Sequence, residues 1–148
     1  MTIYKSKRDQ FFITAYVLLS LFLMIICGLG FFDETLQSND FTLMLIIMTL
    51  INVVIWFLFL KITIKIQDQK LKVNIGFDVF KIDIDNITKV KIGETMWSGF
   101  HKYGTARGGL IIFSKNRNDL YITPEKQDDF LKQLLAINRH ITIEDVRK

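Results

Sequence analysis

The sequence predicts a membrane α-helical hairpin of two transmembrane helices, followed by a small α+β domain in which a curled antiparallel sheet is capped by a C-terminal helix. Three observations predict it. Residues 11–32 and 41–60 form two apolar blocks without a single Asp, Glu, Lys or Arg, although charged residues are 23% of the chain. From Lys61 the chain alternates apolar and polar residues, the period of half-buried strands. Beyond Thr123 the apolar residues recur at helical spacing instead.

Each block is long enough to cross a bilayer, since twenty residues at about 1.5 Å each span roughly 30 Å. Each contains fourteen Leu, Ile, Val or Phe residues. At about −0.3 to −0.6 kcal/mol apiece near a helix centre, these favour insertion by about 4 to 8 kcal/mol before polar terms. Thr14, Ser20 and Asn52 are too few to reverse that balance. A buried core helix is usually shorter and keeps a polar face, which neither block has. The first block also outruns the apolar core of a signal peptide, and no small-x-small cleavage site follows it. Ile26 stands before Cys27 where a lipoprotein site needs a small residue, and Cys27 is the sole cysteine, which excludes an intrachain disulfide.

Charge sets the expected topology. Lys5, Lys7 and Arg8 precede the first block, the connection over residues 33–40 has three acids and no base, and Lys61, Lys65, Lys70 and Lys72 follow the second. Basic flanks stay in the cytoplasm. The expectation is therefore a multi-pass protein of the cytoplasmic membrane with both termini inside: residues 1–60 an N-terminal tail and hairpin, residues 61–148 a cytoplasmic domain. That domain has 16 Lys and Arg against 11 Asp and Glu, net +5. The excess suits membrane lipids with anionic headgroups, at about 1 kcal/mol per base near the surface, and is equally the topology signal itself. The bases are dispersed and no recognition motif accompanies them, so no nucleic-acid partner is expected.

Strands are expected over residues 61–66, 71–75, 80–84 and 88–92, with turns at 67–70 and 76–78 and a kink at Asp85-Asn86. Leu110-Ile111-Ile112-Phe113 centres a fifth strand, residues 115–119 turn the chain, and Leu120-Tyr121-Ile122 returns; residues 95–102 are open as one more, giving six to seven strands. Thr123 suits a helix N-cap, Pro124 the first helical position and Glu125 the first turn, with Lys126 standing where a capping box would place Glu or Gln. Phe130, Leu131, Leu134, Leu135 and Ile137 make one apolar stripe, Asn138 ends the helix, and Arg139 and His140 suit its last turn. Residues 141–143 are expected to dock as a short extended piece, and 144–148 to form a frayed tail.

Two apolar helices, a strand meander, Ala106-Arg107-Gly108-Gly109-Leu110-Ile111-Ile112, Ile122-Thr123-Pro124 and a helix carrying Phe130 and Leu134 together resemble small membrane-anchored bacterial proteins with a pleckstrin-homology-like (PH-like) domain. Arg139 departs from the proline often found at that place, which bears only on how the helix ends. The resemblance implies a PH-like fold and a non-enzymatic scaffold, and some related membrane-anchored proteins act in immunity to bacteriocins.

No catalytic constellation is legible. His101 and His140 lie in different elements, Ser98 and Ser114 lack a nucleophile motif, and Gly104, Gly108 and Gly109 do not make a phosphate loop. Asp128-Asp129 is explained by the helix dipole. The expectation is a protein that is no enzyme and takes no cofactor or metal. The segment 93–109 is richer than structure requires, and Trp97, Phe100, His101, Lys102, Tyr103 and Arg107 are its candidate contacts for a partner or a headgroup. The same aromatics also suit an ordinary hairpin whose rings fill the core. Three functions stay open: an interaction module for a protein or peptide at the cytoplasmic face, a bacteriocin-immunity-type protective protein, and an anionic-lipid sensor. In the membrane, Asn52 is suited to a hydrogen bond with the first helix or with a second copy in a homo-oligomer, Gly28 and Gly30 permitting close approach.

Overall fold

A computed structural model describes residues 2–31, 38–115 and 118–147. The connection expected over 33–40 and the turn over 115–119 lie partly outside these residues. The chain divides into two units, Phe11–Leu60 and a second made of Met1–Gln10 with Lys61–Lys148.

In the first unit, α1 (Gln10–Phe31) and α2 (Ser38–Leu60) follow the two apolar blocks. Spans of 20 and 22 residues within them are long and apolar enough to cross a membrane. The helices run antiparallel. Tyr16 lies against Phe59 with ring centroids 4.2 Å apart, and one turn on Trp56 Nε1 donates to Ser20 Oγ at 2.9 Å.

In the second unit, alternation builds the strands as expected. β2 (Thr63–Gln67), β3 (Lys70–Asn74) and β4 (Asp78–Asp83) form an antiparallel meander. Their buried positions face one another in register, Ile64 opposite Val73 and Ile66 opposite Leu71. A 3₁₀ turn, Ile84–Asn86, occupies the expected kink. β5 (Ile87–Glu94), β6 (His101–Lys102), β7 (Gly109–Ser114) and β8 (Leu120–Ile122) complete the strands read from the sequence. They lie in a second sheet, so the curl is shared between two sheets rather than closed in one.

Two further strands occupy sheet edges. The segment expected to be an N-terminal tail is instead β1 (Thr2–Lys5), antiparallel to β2 in the order β1-β2-β3-β4. The extended piece expected at 141–143 is there and runs on into the expected frayed end as β9 (Thr142–Asp145), parallel to β5 in the order β6-β8-β7-β5-β9. β6 also pairs in parallel, with β8, so the second sheet is mixed rather than purely antiparallel.

The two sheets enclose one apolar core, including Ile64, Leu71, Val90, Ile92, Leu110 and Ile112. α3 (Gln127–Ile137) plugs it with Phe130, Leu131 and Leu134. Phe130 and Leu134 are fully buried, each contributing roughly 1.5–3 kcal/mol relative to exposure. Tyr4 of β1 packs edge-on against Phe130 at 5.4 Å and donates its hydroxyl to Gln133 Oε1 at 2.8 Å, tying the first strand to the last helix.

The helix starts later than expected. Thr123 does not cap it, because its hydroxyl is used elsewhere: it accepts from the Thr105 N–H at 3.0 Å, donates to the Lys7 carbonyl at 3.2 Å and meets Ser6 Oγ at 3.0 Å. Ser6, Thr105 and Thr123 are all buried. The cap position falls to Lys126, without a side-chain hydrogen bond, and Asp128 and Asp129 supply the acids of the first turn. Around this hydroxyl cluster the backbone of residues 5–9 is stitched in by Lys7 N to Thr123 O (2.6 Å), Glu125 N to Lys5 O (3.0 Å) and Asp9 N to Thr105 O (3.2 Å). At the other end Asn138 terminates the helix as expected, and its buried amide donates to the carbonyls of Ile84 (3.0 Å) and Ile87 (3.3 Å). Arg139 and His140 lie beyond the last turn rather than in it, because the chain is already extended at Asn138.

Candidate functional site

The segment 93–109 joins β5 to β7 and is held at several points. At its base the Gly108 N–H donates to Thr95 Oγ1 at 2.8 Å. Midway, the Tyr103 N–H donates to the Tyr121 carbonyl at 2.9 Å. Tyr121 is the post on which the returning limb hangs. Its ring is buried, its hydroxyl donates to the Ala106 carbonyl at 2.6 Å, and it accepts from the Gly109 N–H at 3.2 Å. Burial pushes the phenol's pKa up from its usual value, the Gly109 hydrogen bond opposing, so the proton needed for the Ala106 bond stays in place. Glycine at 104 and 109 is a requirement of this packing. A Cβ at Gly104 would overlap the Tyr121 ring, and one at Gly109 would stand 2.6 Å from the Ile122 carbonyl oxygen.

The six candidate residues fall into three groups. Trp97 is 65% exposed and Phe100 is 100% exposed, so these two rings do not fill the core. His101 and Tyr103 turn inward onto Phe80 of β4, with ring centroids 4.6 and 6.3 Å away. The two cations are engaged. Lys102 Nζ donates to the Trp97 carbonyl at 2.7 Å, closing the tip of the loop on itself. Arg107 donates from its backbone N–H and its Nε to Asp9 Oδ2, at 2.9 and 3.1 Å, facing the N-terminal segment rather than the loop tip.

The structure therefore places Trp97, Phe100 and Lys102 on the same tip, turns His101 and Tyr103 onto Phe80, and sets Arg107 apart with Asp9. Sequence reasoning passed over Phe80, the platform for His101 and Tyr103. Its position in an alternating strand reads as sheet packing, and nothing local shows that a ring from the other sheet will lie on it. It also passed over Asp9, the partner of Arg107 across almost a hundred residues. Among the described residues, no three His, Cys, Asp or Glu side chains converge as a metal site would require.

Comparison with known proteins adds the family. The model of the bacterial PH domain matches residues 62–138. That stretch begins just before β2 and ends at the helix cap Asn138, leaving β1 and β9 outside it. YyaB of Bacillus subtilis (strain 168), an uncharacterized protein, is 25% identical over 141 residues, covering 95% of this chain and 96% of that protein. The likeness thus extends over the apolar helices as well as the domain. No solved structure matches. Since the matched span takes in more than half of the chain, this protein belongs to the bacterial PH domain family.

Proposed function

We propose that this chain is a non-enzymatic integral membrane protein whose PH-like domain, on the cytoplasmic side, binds a protein or peptide partner through the tip of the 93–109 segment. One observation carries the reading: Trp97 and Phe100 are displayed on a loop that the rest of the domain holds in place. Leaving two large rings in water forgoes roughly 1.5–3 kcal/mol each, which a partner regains on burying them. Aromatic anchors of this kind dominate binding energies, and a pinned loop loses less conformational entropy on association. A partner with an apolar groove fits better than an anionic headgroup, because Lys102 and Arg107 are already engaged within the chain. The cytoplasmic placement rests on the basic residues flanking both apolar blocks.

A photo-crosslinking amino acid at position 100, introduced into the full chain in native membranes, tests this. The expected result is an adduct with one protein of defined mass that disappears in Trp97→Ala, while the same probe at exposed Lys132 gives none. Adducts with lipid alone, or identical adducts from positions 100 and 132, would overturn the proposal.

A further inference from the structure

Three polar side chains of α1 and α2, Ser20, Asn52 and Trp56, meet between the two helices. Ser20 and Asn52 both lie within about 4 Å of the midpoints of their apolar spans, at about 1.5 Å per residue. Trp56 Nε1 donates to Ser20 Oγ at 2.9 Å, and Ser20 Oγ donates to Asn52 Oδ1 at 3.3 Å. This relay ends at the Asn52 amide nitrogen, whose two N–H groups meet no acceptor among the described residues. Thr49 offers no relief, because its hydroxyl is turned back onto the Leu45 carbonyl at 2.8 Å. The amide lines a groove of about 600 Å³ between the helices, together with Ser20, Cys27, Gly28, Leu45 and Thr49.

In hydrocarbon, an amide N–H without an acceptor is costly, and acyl chains supply none. Whatever fills the groove stably must bring a hydrogen-bond acceptor to mid-membrane depth. We propose that the occupant is a second copy of this chain, with the two Asn52 side chains pairing across a two-fold axis. A carboxamide is donor and acceptor at once, so it complements itself. A two-fold axis along the membrane normal brings the second Asn52 to the same depth without further design. Each Nδ2–H then reaches the other copy's Oδ1, whose second lone pair is left over by Ser20. Gly28, with no side chain in the groove, lets the second backbone approach closely, as small residues do between membrane helices.

The test uses the full chain carrying donor or acceptor fluorophores at its C-terminus, reconstituted in vesicles and titrated by lipid dilution. Wild-type protein is expected to show saturable energy transfer. Asn52→Leu should weaken the dissociation constant by about 3- to 20-fold, the range of interhelical polar contacts in bilayers, with helix content unchanged. Leu50→Ala, on an exposed position of α2 outside the groove, should associate as the wild type does. Monomeric wild type at every dilution, or an Asn52→Leu dimer as tight as wild type, would overturn the proposal.

Discussion

Thr123→Val isolates the contribution of the hydroxyl cluster that stitches the N-terminal segment into the domain. Valine keeps the β-branched shape, so no cavity opens and the cost comes from hydrogen bonding. The Lys7 carbonyl keeps a second donor, Thr105 Oγ1 at 2.6 Å, and Ser6 Oγ keeps Thr105 Oγ1 at 2.9 Å. The Thr105 N–H has no such substitute, because Thr123 Oγ1 is the acceptor it meets at 3.0 Å. Stranding one buried donor costs about 1–3 kcal/mol, and about 2 kcal/mol is expected here. For a folding unit of roughly one hundred residues, each kcal/mol lowers Tm by about 4–8 °C, so the domain should melt about 8–16 °C lower. Pulse proteolysis of the full chain in detergent, across a urea series, reads the loss as a shifted midpoint. Thr123→Ser retains the hydroxyl and should lose less than about 1 kcal/mol. A Thr123→Val midpoint within about 0.5 kcal/mol of wild type would refute the claim that this hydroxyl serves the Thr105 amide.

Two other outcomes follow from the same geometry. Gly109→Ala forces a methyl to 2.6 Å from the Ile122 oxygen and toward Tyr121, and should cost about 1–3 kcal/mol in the same proteolysis assay; a neutral result would mean that β7 and β8 can part without penalty. Acid should release β9 from β5. Glu144 is held below the usual carboxylate pKa first by its hydrogen bond from Lys89 and then by the charges of Lys89 and Lys91, both on β5; Asp145 is likewise held low by Arg147, a pair within the β9 segment itself. Lowered pKa values mean that this stabilisation is complete above the unfolded values, about 4.3 for Glu and 3.9 for Asp, and is lost as pH falls through the lower folded values. The opening free energy of the β9 amides, corrected for intrinsic exchange, should therefore hold from neutral pH down to about pH 4 and drop below it. Unchanged protection down to pH 3 would rule out a role for these pairs.

The features that local pattern carries were the ones legible in the sequence. Charge-free blocks gave away the helices, and strict alternation located β2 to β5 because each strand has one buried face. β1 was not legible: four residues alternate too briefly to stand out, and their partner strand lies beyond both apolar helices. Thr123 illustrates the opposite failure, a residue with every local property of a cap that tertiary structure uses for something else. The candidate segment divides along the same line. That 93–109 carries surplus aromatics can be read from composition. That His101 and Tyr103 turn inward while Trp97 and Phe100 remain outside depends on Phe80, which belongs to the other sheet. Likewise Arg107 reads locally as a free cation and is in fact committed to Asp9.

The pairing of β1 with β2 bears on the membrane topology independently of charge. Thr2 lies opposite Ile66 and Lys5 opposite Thr63, so the segments just before the first apolar helix and just after the second meet in one sheet. Two crossings return a chain to the side it left, whereas a single crossing would keep β1 and β2 on opposite faces. The sheet register agrees with the even number of spans that hydropathy expects. β1 precedes both helices and β2 follows them, so this edge of the first sheet and the Ser6–Thr105–Thr123 cluster rest on long-range pairings, the kind that generally form slowly.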